Sequence, residues 1–339
     1  MNSILALDIG SHSIKLIELS HDKDSYTLLA AGSTLTPPKA LSTNTKGDTE
    51  GISMVISKLW KDTGSKSRLV NIALPESQVI TRIIEVPQLS TRELASAIEW
   101  EAEQYIPLPL AQVTLDFSVL RDSKATGTNK MEVLLVASPK VLVEKYVSIL
   151  EQADLEPHAV ETEIIATARS LVRSSLNIKT AMIVSIGAQT TDLAILRQGV
   201  LSFTRSISAG GEALSRSLAQ GLGFDYSQAE QFKKTYGVEK DNLEGKIVEA
   251  VKPVMDTIIG EISRAIAFYQ EKYTNEHIDV IFLSGGTARL PGMVVYLAQS
   301  LNVEVQLANP WIGIKIDERF RVLDAAGPVF TVAVGLALR

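Results

Sequence analysis

Apolar residues at the start of the chain fall in short blocks separated by small polar turns. This pattern predicts three successive strands at residues 3–9, 13–19 and 26–34. A Pro-, Ser-, Thr- and Asn-rich stretch from Pro37 to Gly47 reads as a loop. Ile52, Val55, Ile56, Leu59 and Trp60 then recur at helical spacing, and Val70–Leu74 reads as a strand stopped by Pro75. Residues 78–158 form a block of their own: a strand at 79–86, a helix opened by the capping box Ser90-Thr91-Arg92-Glu93 and closed before Pro107, paired strands at 113–120 and 131–137, and a helix from Pro139 to Gln152. A helix at 163–174 leads into a second set of three strands, at 180–186, 191–197 and 200–206. Residues 213–274 are helical in pattern, 278–283 is a strand of the buried type, Pro291 starts a further helix, and 329–338 is a final apolar helix.

The two sets of strands share more than their order. The first hairpin reads Leu7-Asp8-Ile9-Gly10-Ser11-His12-Ser13-Ile14-Lys15, and the second reads Val184-Ser185-Ile186-Gly187-Ala188-Gln189-Thr190-Thr191-Asp192. Each has an apolar strand, then Ile-Gly, then small donor-rich residues, then a second strand. The repeat predicts two related lobes that grip one ligand between them. Gly10 and Gly187 permit a tight turn, and small neighbours let an anion approach backbone N–H groups. Ser11, Ser13, Gln189 and Thr190 add side-chain donors, Lys15 adds positive charge, and Asp8 is an acid placed to hold Mg²⁺ directly or through water. Asp192 is a candidate for orienting a water. Two further segments carry the same kind of chemistry. Ser284-Gly285-Gly286-Thr287-Ala288-Arg289 joins a buried strand to a helix start, and Glu230 and Lys233 share a helix face.

Composition narrows the field. The chain has 339 residues, enough for about two domains, a net charge of −6 and no dense basic run, which argues against a nucleic-acid surface. There is no cysteine, which removes disulfides, thiolate chemistry and Cys-zinc sites and fits a reducing compartment. The N-terminus carries no basic stretch or cleavage-like site, so secretion is not expected. No apolar run reaches the roughly 18–20 residues of a membrane span, so any work at a membrane is expected to go through a partner. The four histidines are scattered and predict no metal centre. Trp60, Trp100 and Trp311 are expected in the core or in pocket walls.

The two hairpins, Gly210-Gly211-Glu212, Glu230-x-x-Lys233-Lys234 and Gly285-Gly286-x-x-Arg289-x-Pro291, in that order, resemble the actin-like ATPases over nearly the whole chain. More narrowly, Glu99-Trp100-Glu101-Ala102-Glu103-Gln104-Tyr105-Ile106-Pro107 with Asp116, Glu161-x-Glu163 and the ending Ala333–Arg339 resemble the PilM family of type IV pilus assembly proteins. The resemblance implies an α/β, two-lobed actin-like fold, each lobe a mixed sheet flanked by helices, with ATP or ADP and Mg²⁺ in the cleft between them. It implies a first-lobe core of residues 1–77 and 159–178 with the C-terminal helix 325–339, and an FtsA/PilM-type inserted subdomain at 78–158. A second-lobe core of 179–212 and 275–324 then carries a helical subdomain at 213–274. Gly10, Ser11, Ser13, Lys15, Gly187, Gln189 and Thr190 would meet the terminal phosphates. Gly210, Gly211, Glu230, Lys233, Gly285, Gly286 and Arg289 would surround ribose, base and α-phosphate. Asp8 would anchor the metal, with Asp8, Gln189 and Asp192 the candidates for catalysis.

The family also implies partners. A groove beside the insert would take the short N-terminal cytoplasmic peptide of a PilN-like inner-membrane protein, linking the membrane platform to the pilus motor ATPases and placing the chain in the cytoplasm, peripheral to the inner membrane. Ser185 departs from the pattern, because relatives place an acid there. A hydroxyl cannot replace that charge, so nucleotide binding with at most slow hydrolysis is expected. The alternatives are an FtsA-like polymerising scaffold, a small-molecule kinase of the same superfamily, and a relative of the secretion protein GspL. The first is disfavoured by the chain's stopping at Arg339 without a membrane-targeting helix, the second by the lack of a distinct catalytic base, and the third by the lack of a transmembrane helix.

Overall fold

The computed structural model describes residues 2–23, 25–38, 40–41, 46–239 and 245–339. In chain order its elements are β1 (Asn2–Ile9), β2 (Ser13–Asp22), β3 (Ser25–Leu35), α1 (Lys46–Asp62), β4 (Leu69–Leu74), β5 (Ile80–Pro87), α2 (Thr91–Glu103), β6 (Val113–Arg121), α3 (Ser123–Thr126), β7 (Lys130–Pro139), α4 (Lys140–Gln152), β8 (Glu156–Thr162), α5 (Glu163–Leu171), β9 (Thr180–Ile186), β10 (Thr191–Arg197), β11 (Val200–Ile207), α6 (Gly211–Leu222), α7 (Tyr226–Tyr236), α8 (Lys246–Lys272), β12 (Val280–Ser284), α9 (Met293–Leu301), β13 (Glu304–Leu307), β14 (Ile314–Lys315) and α10 (Gly327–Ala337).

Two of the three sheets repeat one plan. The first runs β14-β3-β2-β1-β4-β8 and the second β11-β10-β9-β12-β13. In each, an antiparallel meander is extended by parallel strands: β1 pairs with β4 as β9 pairs with β12. Central strands such as β9 are buried on both faces and so read as continuous apolar runs, whereas β5 alternates. The third sheet, β5-β7-β6, is antiparallel and covered on one face by α2 through Leu94, Ile98 and Ala102. The capping box forms as predicted: Ser90 Oγ accepts from the Glu93 N–H, and the Glu93 carboxylate accepts from the Ser90 N–H at 2.9 Å. In α8, buried side chains at Ile247, Val251, Met255, Ile258, Ile262, Ala265 and Tyr269 keep the three-to-four spacing that seats it on the second sheet.

Several expectations needed correction. The predicted strands and helices are present, but β8, where Pro157 interrupts the strand pattern, and the shorter β13, β14 and α3 were not foreseen. Two to four residues carry too little periodicity to register. The third glycine loop leads first into a 3-10 turn, Gly286–Arg289, and α9 begins only at Met293, after Gly292 turns the chain with φ of +75°. Residues 240–244 of the long helical stretch, with residues 39 and 42–45 of the early loop, lie outside the described residues. The α4 helix, grouped above with the insert, packs on α1 in the first-lobe core, and β8 extends the first sheet from residue 156. Trp311 is buried and Trp60 half-buried, with its Nε1–H donating to the Ser67 carbonyl, but Trp100 is 77 % exposed, on the outward face of α2.

The C-terminal helix organises the whole. Among the described residues one segment, Glu318–Ala337, is long and apolar enough to cross a membrane by length and composition. Its helical part, α10, is instead core, buried against β1, β2, β4 and α5. Arg169 of α5 donates to the Gly335 carbonyl at 2.9 Å and Asn71 of β4 to the Leu336 carbonyl at 2.9 Å. A Cβ at Gly335 would fall 1.8 Å from the Ala166 carbonyl oxygen, so α5 and α10 cross at backbone contact. Gly335→Ala is therefore expected to lower stability by at least about 2 kcal/mol through overpacking, read as a lower urea midpoint at unchanged m-value; an unchanged midpoint would contradict the crossing.

Candidate functional site

Between the lobes lies a cleft of about 610 Å³, walled by the two repeated hairpins, α7, the β12 loop and the faces of α4, α5 and α10. The β1–β2 turn is tight. The Gly10 N–H donates to the Ser13 carbonyl at 3.2 Å, and Thr36 Oγ1 donates to the Gly10 carbonyl at 2.6 Å. The β9–β10 turn repeats it, with the Gly187 N–H donating to the Thr190 carbonyl at 2.8 Å. The two hairpins are equivalent residue by residue. Asp8 faces Lys15 across β1–β2, and Ser185 faces Asp192 across β9–β10, each pair flanking its glycine at the same distance along the chain. The acid missing at Ser185 is thus present one strand over, where the first hairpin carries Lys15.

Every residue singled out from sequence lines this cleft except Gly210. A Cβ there would lie 2.8 Å from the Gly187 and Ala188 carbonyl oxygens, so Gly210 lets α6 abut the second hairpin from behind. The first amides of α6 are used in the same contact: Gly211 N–H donates to the Gly187 carbonyl at 2.9 Å and Glu212 N–H to the Ala188 carbonyl at 2.8 Å. Gly285, with φ of +86°, lies against the Ile186 carbonyl, where a Cβ would sit at 2.3 Å. Gly286 faces open space in the cleft, and exposed Arg289 follows.

Lys15 is paired with Asp8, and Lys233 with Glu230. Lys15 Nζ lies 2.9 Å from the buried Asp8 carboxylate. Lys233 donates to Gly211 O at 2.8 Å, Ser215 Oγ at 2.7 Å and Glu230 Oε2 at 2.7 Å, which uses all three ammonium protons and lowers its exposure to 6 %. Burial pushes the Glu230 carboxyl up, but hydrogen bonds from Lys233 and Ser215 and the Lys233 charge outweigh it and bring it down to about 2. Glu230 is therefore a fixed carboxylate at the cleft edge.

Of the acids of the cleft floor, sequence reasoning singled out Asp192 but missed Glu76 and gave Glu163 no role. Glu163 opens α5 and lines the cleft. Burial raises its carboxyl well above the ordinary range, and the charges of Asp192, Asp8 and Glu76 act in the same direction. Asp192 accepts from Ser206 at 2.5 Å and Thr190 at 3.1 Å, yet burial brings it up to about 6. Glu76 lies behind this floor, on the turn between β4 and β5. Its backbone N–H donates to Glu163 Oε2 at 3.3 Å, its own Oε2 has no hydrogen-bond partner among the described residues, and burial brings it up to about 7. Glu163 was visible only as a sequence resemblance; burial is what makes it a site residue. Donor-rich turns, an arginine with no ion pair among the described residues and a floor of acids raised by burial suit an anionic ligand carrying its own cation.

Comparison with known proteins places this geometry. The family model for type IV pilus assembly protein PilM matches residues 6–339. The chain belongs to the PilM family of type IV pilus assembly proteins. A solved PilM–PilN type IV pilus biogenesis complex contains a chain 30 % identical to this one, with 99 % of this chain and 98 % of that one covered and a TM-score of 0.88. The cell division protein FtsA of Bacillus subtilis (strain 168) is 24 % identical over 92 % of this chain and 80 % of its own length. MreB 5 of Spiroplasma citri, solved with AMPPNP, is 12 % identical with a TM-score of 0.52, covering 99 % and 95 % of the two chains, and shows the shared actin-like fold.

The acids of the PilM-family floor make a signed pH prediction. Between its ordinary value of 4.5 and about 7, folded Glu76 keeps a proton that the unfolded chain has released. Its contribution to stability is full below pH 4.5 and is lost as pH rises through 7, and Asp192 acts with the same sign between 3.8 and about 6. The melting temperature of the protein is expected to fall between about pH 5 and about pH 7.5, and Glu76→Gln, neutral throughout, is expected to flatten that fall and to melt higher at the upper end. Equal slopes in the two proteins would remove Glu76 as the cause.

Proposed function

We propose that this chain is the actin-like, nucleotide-binding component of a type IV pilus assembly machine. In this reading it captures the short cytoplasmic N-terminal peptide of a PilN-like membrane protein and links that platform to the pilus motor. The observation that carries the nucleotide is the pair of equivalent hairpins facing one cleft, each presenting a glycine turn and hydroxyl donors to the same space. Family membership and the 30 % identity to a chain of a PilM–PilN complex support the partner. Such a partner would hold the chain at the cytoplasmic face of the inner membrane.

The residues present fit a magnesium nucleotide. Among the described residues no three His, Cys, Asp or Glu side chains converge as a metal cage. Magnesium needs none, because it is bound through one or two carboxylates plus the phosphates of its nucleotide. Asp8 would serve as that carboxylate. Bound magnesium would offset phosphate charge. Lys15, Ser11, Ser13, Gln189 and Thr190 would hold the terminal phosphates, and Gly286 and Arg289 would lie along the sugar and α-phosphate. Lys233 would act one step back by fixing Glu230. Slow hydrolysis remains the expectation. The acid of the second hairpin sits on the far strand, where relatives place it on the near one, and its carboxylate oxygens are already engaged by Ser206 and Thr190.

Calorimetric titration with ATP–Mg²⁺, then with the N-terminal peptide of a PilN-like protein, tests the reading. The wild-type chain is expected to bind both, with nucleotide changing the affinity for peptide. Gly286→Glu adds a side chain and a negative charge in open cleft space, so it is expected to weaken ATP at least about 100-fold while leaving the melting temperature unchanged. Equal ATP affinity in the variant removes the assigned pocket, and equal peptide affinity with and without ATP removes the coupling.

A further inference from the structure

The third sheet leaves and rejoins the chain through the first lobe, by the β4–β5 connection and by the Pro139 corner into α4. Its contacts point elsewhere. Ile83, Leu120, Leu134 and Val136 of this sheet share one core with Ala181, Ile183, Ala194 and Phe282 of the second sheet, a core that Ile164, Ala168 and Leu171 of α5 also enter. Around that core stands a ring of polar links. Arg121, at the end of β6, is 5 % exposed. It donates to Glu132 of β7 at 2.9 Å and also to the Arg197 carbonyl of β10. The other oxygen of Glu132 accepts from Tyr273, just past α8, at 3.2 Å. The Arg197 guanidinium lies over the Tyr273 ring at 4.5 Å and pairs with Glu276 at 2.9 Å, and Lys272 of α8 reaches Glu85 of β5 at 2.7 Å. Thr204 of β11 donates to the Thr81 carbonyl of β5 at 3.3 Å.

We propose that the β5-β7-β6 sheet moves as one body with the second lobe, so that any ligand changing the angle between the lobes carries this sheet past α1 and α4. The reasoning is a comparison of what has to break. Parting the sheet from the second lobe would expose a shared apolar core, take the Arg197 carbonyl from buried Arg121 and the Tyr273 hydroxyl from Glu132, and open the Lys272–Glu85 pair, leaving buried polar groups unsatisfied. Parting it from the first lobe bends two single-strand connections, at residues 75–79 and at Pro139, and gives up the contacts of Val79 and Val136 in the first-lobe core and the α5 side of the shared core, with no ion pair or side-chain hydrogen bond of the ring broken. Hinges form where few residues must change conformation. The acid Glu76, which touches the cleft-floor residue Glu163, lies within the first of these connections. A ligand at the floor therefore acts beside the bend.

The chain has no cysteine, so introduced cysteines at Met54 in α1, Val119 in β6 and Val295 in α9, all exposed, allow pairwise spin-label distances. With ATP–Mg²⁺ the 54–295 and 54–119 distances are expected to shift together while 119–295 stays fixed. A constant 54–119 distance with a shifting 119–295 distance overturns the proposal, as do three constant distances when calorimetry shows ATP bound. This arm rests on the nucleotide reading; if calorimetry shows no binding, that reading has failed and amide hydrogen exchange on the ligand-free protein decides the proposal. Glu132→Ala is expected to speed exchange roughly tenfold in β5–β7 and, together with it, in β10 and the end of α8, leaving β1–β4 unchanged. If Glu132→Ala loosens the entire fold, the milder Lys272→Ala must show the same paired response on a smaller scale. Faster exchange in the third sheet and α4 with β10 and α8 unchanged overturns the proposal in either variant.

Discussion

The crossing of α5 and α10 is the contact on which the arrangement depends. Gly335 has no Cβ, so its helix can lie against the Ala166 carbonyl, and Arg169 and Asn71 satisfy the last carbonyls of α10 from two first-lobe elements. The other end of α10 is held by the second lobe. The Gly285 N–H donates to the Pro328 carbonyl at 2.9 Å, and Ser284 and Thr331 hydroxyls meet at 2.6 Å. One helix is therefore packed into the first sheet along its length and hydrogen-bonded to the second lobe's glycine loop at its start. The cleft floor lies between these attachments, so its geometry follows from the crossing. Interfaces of this kind have few discrete arrangements because packed backbones do not deform continuously.

The repeated hairpins show how a duplicated unit can be kept in shape and changed in charge. The register of both is the same, and so is the glycine turn, because backbone geometry demands them. The charged positions have diverged: acid opposite base in the first, hydroxyl opposite acid in the second. In the proposed reading, a ligand between them would meet the base and a paired acid on one side, and on the other an acid held by Ser206 and Thr190 and raised by burial to about 6. That asymmetry would favour holding a polyanion over polarising its terminal bond, since catalysis requires charge placed where charge develops.

Much of the fold was legible because its signals are long or repeated. The strand triplets, the capping box at Ser90 and the buried spacing of α8 are each carried by several residues, and all formed. The short β13 and β14 carry too few residues to stand out. The cleft residues were legible where chemistry demanded glycine or clustered donors. Gly210 looks like a ligand contact in sequence but supports the second hairpin from behind, and Lys233 lines the cleft with its three ammonium protons already given to protein acceptors, because spacing alone cannot say where an ammonium finds them. Glu76 was invisible because an acid after Pro75 looks like any solvated turn residue, and only burial changes its meaning. Trp100 failed in the opposite sense: apolar size predicted burial, but its position on α2 is opposite Leu94, Ile98 and Ala102.

The acids of the cleft explain one another. Asp8, Glu163, Asp192 and Glu76 cannot all be ionised in so small a buried space, and the raised carboxyls of the last three are the response. Protons keep the empty floor tolerable. A polyphosphate brought in alone would add more negative charge to this floor and would draw still more protons onto it. In the proposed reading, the same ligand brought in with a divalent cation would offset that charge at Asp8 and leave the remaining acids free to ionise. Cation, proton and anion occupancy would thus be linked through one set of carboxyls. Glu76 connects this linkage to the bend beside β5, because its backbone N–H is bonded to the Glu163 carboxylate. A change of charge on Glu163 alters the strength of that bond, so the electrostatic state of the cleft and the position of the third sheet are joined by a single hydrogen bond.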